Sequence, residues 1–118
     1  MTNSLTGIAN LHDFDKTFTT EFDTNQTAVD LLTPTSGKVL KITGLYINTE
    51  ASSGKIRVYF SDDENDAENT ILSTHVTTNP CTGYVPLIMR GDRNASAKVT
   101  STLGADQNYF ILINYKEE

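Results

Sequence analysis

A single cysteine, Cys81, leaves no disulfide to form within the chain, so the sequence does not call for an oxidising compartment. With no partner in sight, Cys81 reads as a small residue beside a turn. Basic residues are also scarce. Nine Lys and Arg stand against fifteen Asp and Glu, a formal charge of −6. Neutralising phosphates takes clusters of Lys and Arg, so neither nucleic acid nor an anionic membrane surface is expected as a partner. No apolar run is long enough to cross a bilayer. Met1 to Gly7 contain neither a basic nor an apolar export region, so synthesis in a cytoplasm without a classical signal is expected. Tryptophan is absent, which removes the residue sugar-binding platforms most often use. Hydrophobic residues make up only 37% of the 118. A modest core shared between thin layers, with subunit contacts adding burial, suits a single domain of this kind.

What is present is strand grammar. Ser36-Gly37-Lys38 opens the apolar run 39–47, and Ser53-Gly54-Lys55 opens 56–60 in almost the same way. A small polar residue and a glycine turn the backbone, and the β-branched and aromatic residues that follow suit a pleated surface. Residues 39–48 form the longest apolar stretch. Strict alternation puts Leu40, Ile42 and Tyr46 on one face and Val39, Leu45 and Ile47 on the other, which predicts a central strand covered on both sides. Gly44 interrupts it, a mark of a bulge or of a close backbone approach.

The same reading predicts strands over 14–22, with Phe14, Phe18 and Phe22 on one face, and more weakly over 27–32. Further strands are expected over 71–76 and 84–89, with Pro86 demoting the latter to an edge or a bulged position. In 95–103, Ala95, Ala97, Val99 and Leu103 point inward and Ser96, Lys98, Thr100 and Thr102 outward; in 108–115, Tyr109, Ile111, Ile113 and Tyr115 share a face. Eight short, evenly spaced strands and no helix predict an all-β, two-sheet antiparallel β-sandwich, jelly-roll or Ig-like. Residues 1–12 read as a flexible N-terminal arm and 13–118 as the single sandwich domain.

Chemical motifs are weak. The acidic loop Asp62, Asp63, Glu64, Asp66, Glu68 fails as an EF-hand, because Ala67 and Ser73 stand where the Gly and Glu should be, and it reads as a solvated hairpin tip. Arg90-Gly91-Asp92 spells the tripeptide that integrins recognise, but Gly91 and Asp92 are also ordinary turn residues. Asn25-Gln26-Thr27 and Asn94-Ala95-Ser96 match the glycosylation acceptor pattern and read as turns. His12 and His75 have no Cys or His at metal-ligand spacing. No nucleophile motif and no glycine-rich phosphate cradle occurs. The expectation is a protein with no catalytic residues, no cofactor and no metal.

The segment Leu32 to Lys38 running into 39–47, then Ser53-Gly54-Lys55-Ile56, resembles small β-sandwich structural proteins of tailed bacteriophages. So does Gly91-Asp92-Arg93-Asn94-Ala95-Ser96-Ala97-Lys98-Val99-Thr100, with 108–115 and Lys116-Glu117-Glu118 after it. The resemblance covers residues 30–118 and leaves 1–29 outside. It implies a virion structural protein made in the host cytoplasm, a capsid decoration or other head-associated component. It also implies a symmetric homo-oligomer, a trimer by preference, with the major capsid protein among its partners. Leu5, Ile8 and Leu11 are the side chains with which an arm would anchor. Tyr46, Tyr59 and Tyr84 are the candidate exposed contacts, with core packing competing for each. A carbohydrate- or receptor-binding sandwich is the alternative.

Overall fold

The computed structural model describes residues 13–60, 67–77 and 83–118. Eight strands run in the order β1 (Lys16–Phe22), β2 (Val29–Leu32), β3 (Leu40–Thr49), β4 (Gly54–Phe60), β5 (Thr70–Val76), β6 (Gly83–Arg90), β7 (Ala97–Ser101) and β8 (Tyr109–Glu117), with one 3-10 turn at Ala67–Asn69 before β5. They form two antiparallel four-stranded sheets, ordered β1-β8-β3-β6 and β2-β7-β4-β5. Strand β1 pairs with β8, β2 with β7, β3 with β6 and β4 with β5. The chain is thus one long hairpin folded at the β4–β5 turn and rolled up. The contacts of β3 with β8 and of β4 with β7 close the roll. Between the two sandwiches the sequence leaves open, this order is the jelly roll.

The core lies between the sheets. Leu40, Ile42, Leu45 and Ile47 of β3 and Ile111 and Ile113 of β8 meet Ile56 and Val58 of β4 and Ala97 and Val99 of β7. Phe18 and Phe22 pack against this cluster from the edge strand β1. Tyr109 lies 5.2 Å from the Phe22 ring, and its buried hydroxyl accepts a hydrogen bond from Ser101 Oγ (3.0 Å). Strand β7 is shorter than the alternation predicts, and beyond Ser101 the backbone still runs beside the start of β4. Thr102 N–H donates to Lys55 C=O and Gly104 N–H to Ser53 C=O. Gly54 sits there at φ +109°, a conformation L side chains rarely adopt, with the Thr102 carbonyl where a Cβ would project.

Strand β3 corrects one expectation. The pairing shifts between Ile42 and Gly44 against both neighbours. This bulge reverses the parity of everything beyond it, so Leu40, Ile42, Leu45 and Ile47 all enter the same core. The apparent two-sided burial of 39–48 is one apolar face with a change of phase in the middle. Pro86 stands on an edge strand, as a residue with no N–H to donate requires.

Candidate interaction surface

Since β1, β8, β3 and β6 turn one face to the core, the remaining side chains make up the outer face of that sheet. It carries Tyr46, Phe110, Leu112, Tyr84 and Pro86, with Thr19 beside Leu112, and Ile88 further along β6 toward Lys41. Register places Tyr46 between Leu112 on β8 and Tyr84 on β6, and Phe110 beside Asn48. Tyr84 and Ile88 are each 44% exposed, and Tyr46, Phe110 and Leu112 are half-buried. An antiparallel sheet with one face on the core normally turns polar residues to water on the other. Here six apolar side chains, none of them charged, lie together on that side.

Two features fix side chains on this face. The Tyr84 ring lies across Gly44, occupying the place a Cβ would need, which is the close approach that a glycine in mid-strand permits. The Tyr84 hydroxyl accepts a hydrogen bond from Asn114 Nδ2 (2.9 Å), while Asn114 Oδ1 accepts one from Thr17 Oγ1 (2.8 Å). Thr17, Asn114 and Tyr84 therefore form a polar belt over all four strands, from β1 across β8 and β3 to β6. Tyr46 and Phe110 meet edge to face, with centroids 6.1 Å apart and planes at 63°.

Below the belt the face ends in an ion cluster. Lys41 Nζ lies 2.8 Å and Lys116 Nζ 2.9 Å from Asp13 Oδ2. The Lys41 side chain is only 4% exposed, so its ammonium needs a partner, and Asp13 supplies it. The Lys41 and Lys116 ammonium groups hold the Asp13 carboxyl down at about 2, and Asp13 in turn raises Lys116. Thr35, donating from its N–H (2.7 Å) and hydroxyl (2.9 Å), lowers Glu117; Arg90 at 2.7 Å lowers Glu118. The opposite end of the face carries Glu21 and Glu50 beside a shallow concavity of about 90 Å³, lined also by Asn48, Asn108 and Phe110.

Two of the sequence's candidate residues are thus brought together here, Tyr46 and Tyr84, directly opposite across β3 and β6. Tyr59 is not available for contact. It is fully buried (0% exposed), and its hydroxyl lies 2.9 Å from Thr100 Oγ1 on the neighbouring strand. Alternation turns it away from the core side of β4, yet it lies along the second sheet and not out into water. Leu5, Ile8 and Leu11, like Cys81, His12 and most of the acidic loop, lie outside the described residues. Phe110, Leu112, Ile88 and Asn114 were missed. Placing Tyr109, Ile111 and Ile113 inward already put Phe110, Leu112 and Asn114 on the other side, so the signal for three of them was available.

Other motifs resolve into structure. Arg90 pairs with Glu118, Gly91 N–H donates to Leu40 C=O (3.0 Å), and a side chain on Gly91 would meet the Phe60 ring, so the tripeptide belongs to the end of the sheet. Asn25 grips both backbone groups of Leu103 (2.7 and 2.9 Å), and Asn94, at φ +67°, accepts the Gly37 N–H (2.6 Å). Among the described residues, no three His, Cys, Asp or Glu side chains are placed to hold a metal ion. No helix among them is long and apolar enough to cross a membrane. Comparison with protein-family models finds no match, and none of the curated proteins matches the chain.

Proposed function

We propose that this protein is a non-enzymatic virion structural protein, a capsid decoration or other head-associated component working as a homo-oligomer against the major capsid protein. The observation that carries the reading is the uncharged apolar face of Tyr46, Tyr84, Pro86, Ile88, Phe110 and Leu112 on the outside of a sheet, where solvent alone would favour polar side chains. An apolar surface of this kind, drawn from three neighbouring strands, suits protein against protein. The jelly roll adds support by analogy, since capsid domains use it, though lectin domains do so too. The chain's formal charge of −6 favours a protein partner over nucleic acid.

The sugar- or receptor-binding alternative draws on the same exposed tyrosines. Against it, the Tyr46 and Phe110 planes stand 63° apart, and a sugar stacking on two rings needs them coplanar. Antibodies to the purified protein should label intact virus particles, and the protein should sediment with them through a density gradient. Protein found wholly in the unsedimented fraction refutes the reading, and saturable binding to a glycan array, lost in Tyr84→Ala, would establish the alternative.

A further inference from the structure

We infer that the chain's own residues 1–12 cover the outer face of the β1-β8-β3-β6 sheet in the free protein, held there by the ion cluster at Asp13. The inference stands apart from the virion reading, and a virion partner that takes this face displaces the segment first.

The place where the described chain begins is the first argument. Strand β1 is an edge strand, and its first residue, Lys16, pairs with Tyr115 on the core side of β8. Just before it the chain bends at Asp15, and Asp13 reaches over the next two strands. Its carboxylate accepts from Lys116 Nζ of β8 at Oδ1 (3.1 Å) and from Lys41 Nζ of β3 at Oδ2 (2.8 Å). Lys41 and Lys116 stand opposite each other, and their neighbours Ile42 and Tyr115 turn to the core, so both lysines belong to the outer face. Residues 1–12 therefore lead off from that face and not from the sheet edge. The Lys41 side chain, only 4% exposed, fixes their near end. The other segments outside the described residues have no such start. Residues 61–66 lie between β4 and β5 of the second sheet, and 78–82 are tied at both ends, to β5 and β6.

Reach is the second argument. An extended chain gains at most about 3.5 Å per residue. From the Lys41–Lys116 pair to the Tyr46–Leu112 pair is about 14 Å along β8, and to Phe110 about 20 Å. Leu11 can extend about 7 Å from Asp13, to the level of Asn114 and Pro86. Ile8 can extend about 17 Å, to Leu112 and Tyr46, and Leu5 about 28 Å, past Phe110.

Chemistry is the third. Residues 1–12 hold no Asp, Glu, Lys or Arg, so their apolar side chains meet an uncharged face without burying a charge. The tether then decides between occupants. A segment joined to its site by a short link acts at an effective concentration on the order of 1 mM, so a free partner at about 1 μM must bind about a thousand times more tightly to displace it.

The test is nuclear magnetic resonance of the isotope-labelled full chain, dilute enough to be monomeric. Methyl protons of Ile8 and Leu11 should show nuclear Overhauser contacts with protons of Tyr46, Tyr84, Ile88 or Leu112. Asp13→Asn should weaken these contacts several-fold, while Asp30→Asn, which breaks the Asp30–Lys98 pair on the other sheet, should leave them in place. Replacing Leu5, Ile8 and Leu11 together by serine should raise the fluorescence of the apolar dye ANS several-fold, as the face opens. Absence of the contacts overturns the inference, as does dye binding equal in wild type and the triple variant. Contacts seen only between labelled and unlabelled copies of a mixed sample would put the segment on a second copy, and also overturn it. Contacts undiminished by Asp13→Asn overturn the anchoring. A chain that shows the contacts and never sediments with virus particles keeps this inference and refutes the virion reading, while a particle-associated chain whose free form lacks them does the reverse.

Discussion

Replacing Ile42, Leu45 and Tyr46 by alanine, one at a time, tests the bulge on which the packing of β3 depends. In an unbroken strand Ile42 and Tyr46 share a face, and Leu45 lies on the other. With the shift between Ile42 and Gly44, Ile42 and Leu45 both enter the core, each at 0% exposure, and Tyr46 goes to the outer face. Each core truncation removes three buried carbons and leaves a cavity that well-packed sheets on either side cannot fully close, at about 2–5 kcal/mol. Tyr46→Ala loses an edge-to-face contact and some half-buried surface, about 1 kcal/mol, although tyrosine is the largest of the three. Urea unfolding followed by circular dichroism, at a protein concentration low enough to keep the chain monomeric, reads the difference. With a slope of about 2 kcal/mol per molar urea, a 3 kcal/mol loss moves the midpoint by about 1.5 M, and a 1 kcal/mol loss by about 0.5 M. Ile42→Ala and Leu45→Ala should therefore fall together, well below Tyr46→Ala. Should Tyr46→Ala match Ile42→Ala while Leu45→Ala stays near wild type, the strand runs unbroken and the argument from the bulge fails.

Three further outcomes follow from the same packing. Tyr59→Phe should lose about 1 kcal/mol with its hydrogen bond to Thr100, and leave self-association unchanged, since its ring is buried; weakened association in that variant would count against its placement. Asp13 is held from 3.8 down to about 2, chiefly by Lys41 and then by Lys116, so it favours the folded state above about pH 4 and loses that contribution as pH falls through about 2. Asp13→Asn should thus be less stable at neutral pH and show a flatter decline in thermal midpoint between pH 4 and 2, and a parallel decline in both proteins would refute the pairing. Gly54→Ala, forced to φ +109° with its methyl against the Thr102 carbonyl, should lower stability by at least about 1 kcal/mol in urea unfolding, where an unchanged midpoint would show the backbone free to relax.

The legible parts of this protein are local. Period-two alternation in 108–115 sorts Tyr109, Ile111 and Ile113 from Phe110, Leu112 and Asn114 without reference to anything else in the chain, and the structure keeps that sorting. Gly44 announced a bulge or a close approach and supplies both, but its effect on parity was not legible. A bulge is defined against the strands beside it, and β6 and β8 lie 40 and more residues away in sequence. Tyr59 shows the opposite failure, for alternation does turn it from the core, and only the neighbouring strand carrying Thr100 decides that the ring is covered.

By itself the sequence determined eight strands, their turns and most of their inward residues, because backbone sterics, turn chemistry and the two-residue repeat act over a few positions at a time. Only the tertiary structure decided that these strands roll into a jelly roll and not an Ig-like sandwich, since nothing local says that β1 will pair with β8 across the length of the domain. It also decided that Tyr46, Tyr84, Ile88 and Phe110, drawn from three strands, lie together as one uncharged face, because a surface belongs to neighbours in space and not to neighbours along the chain.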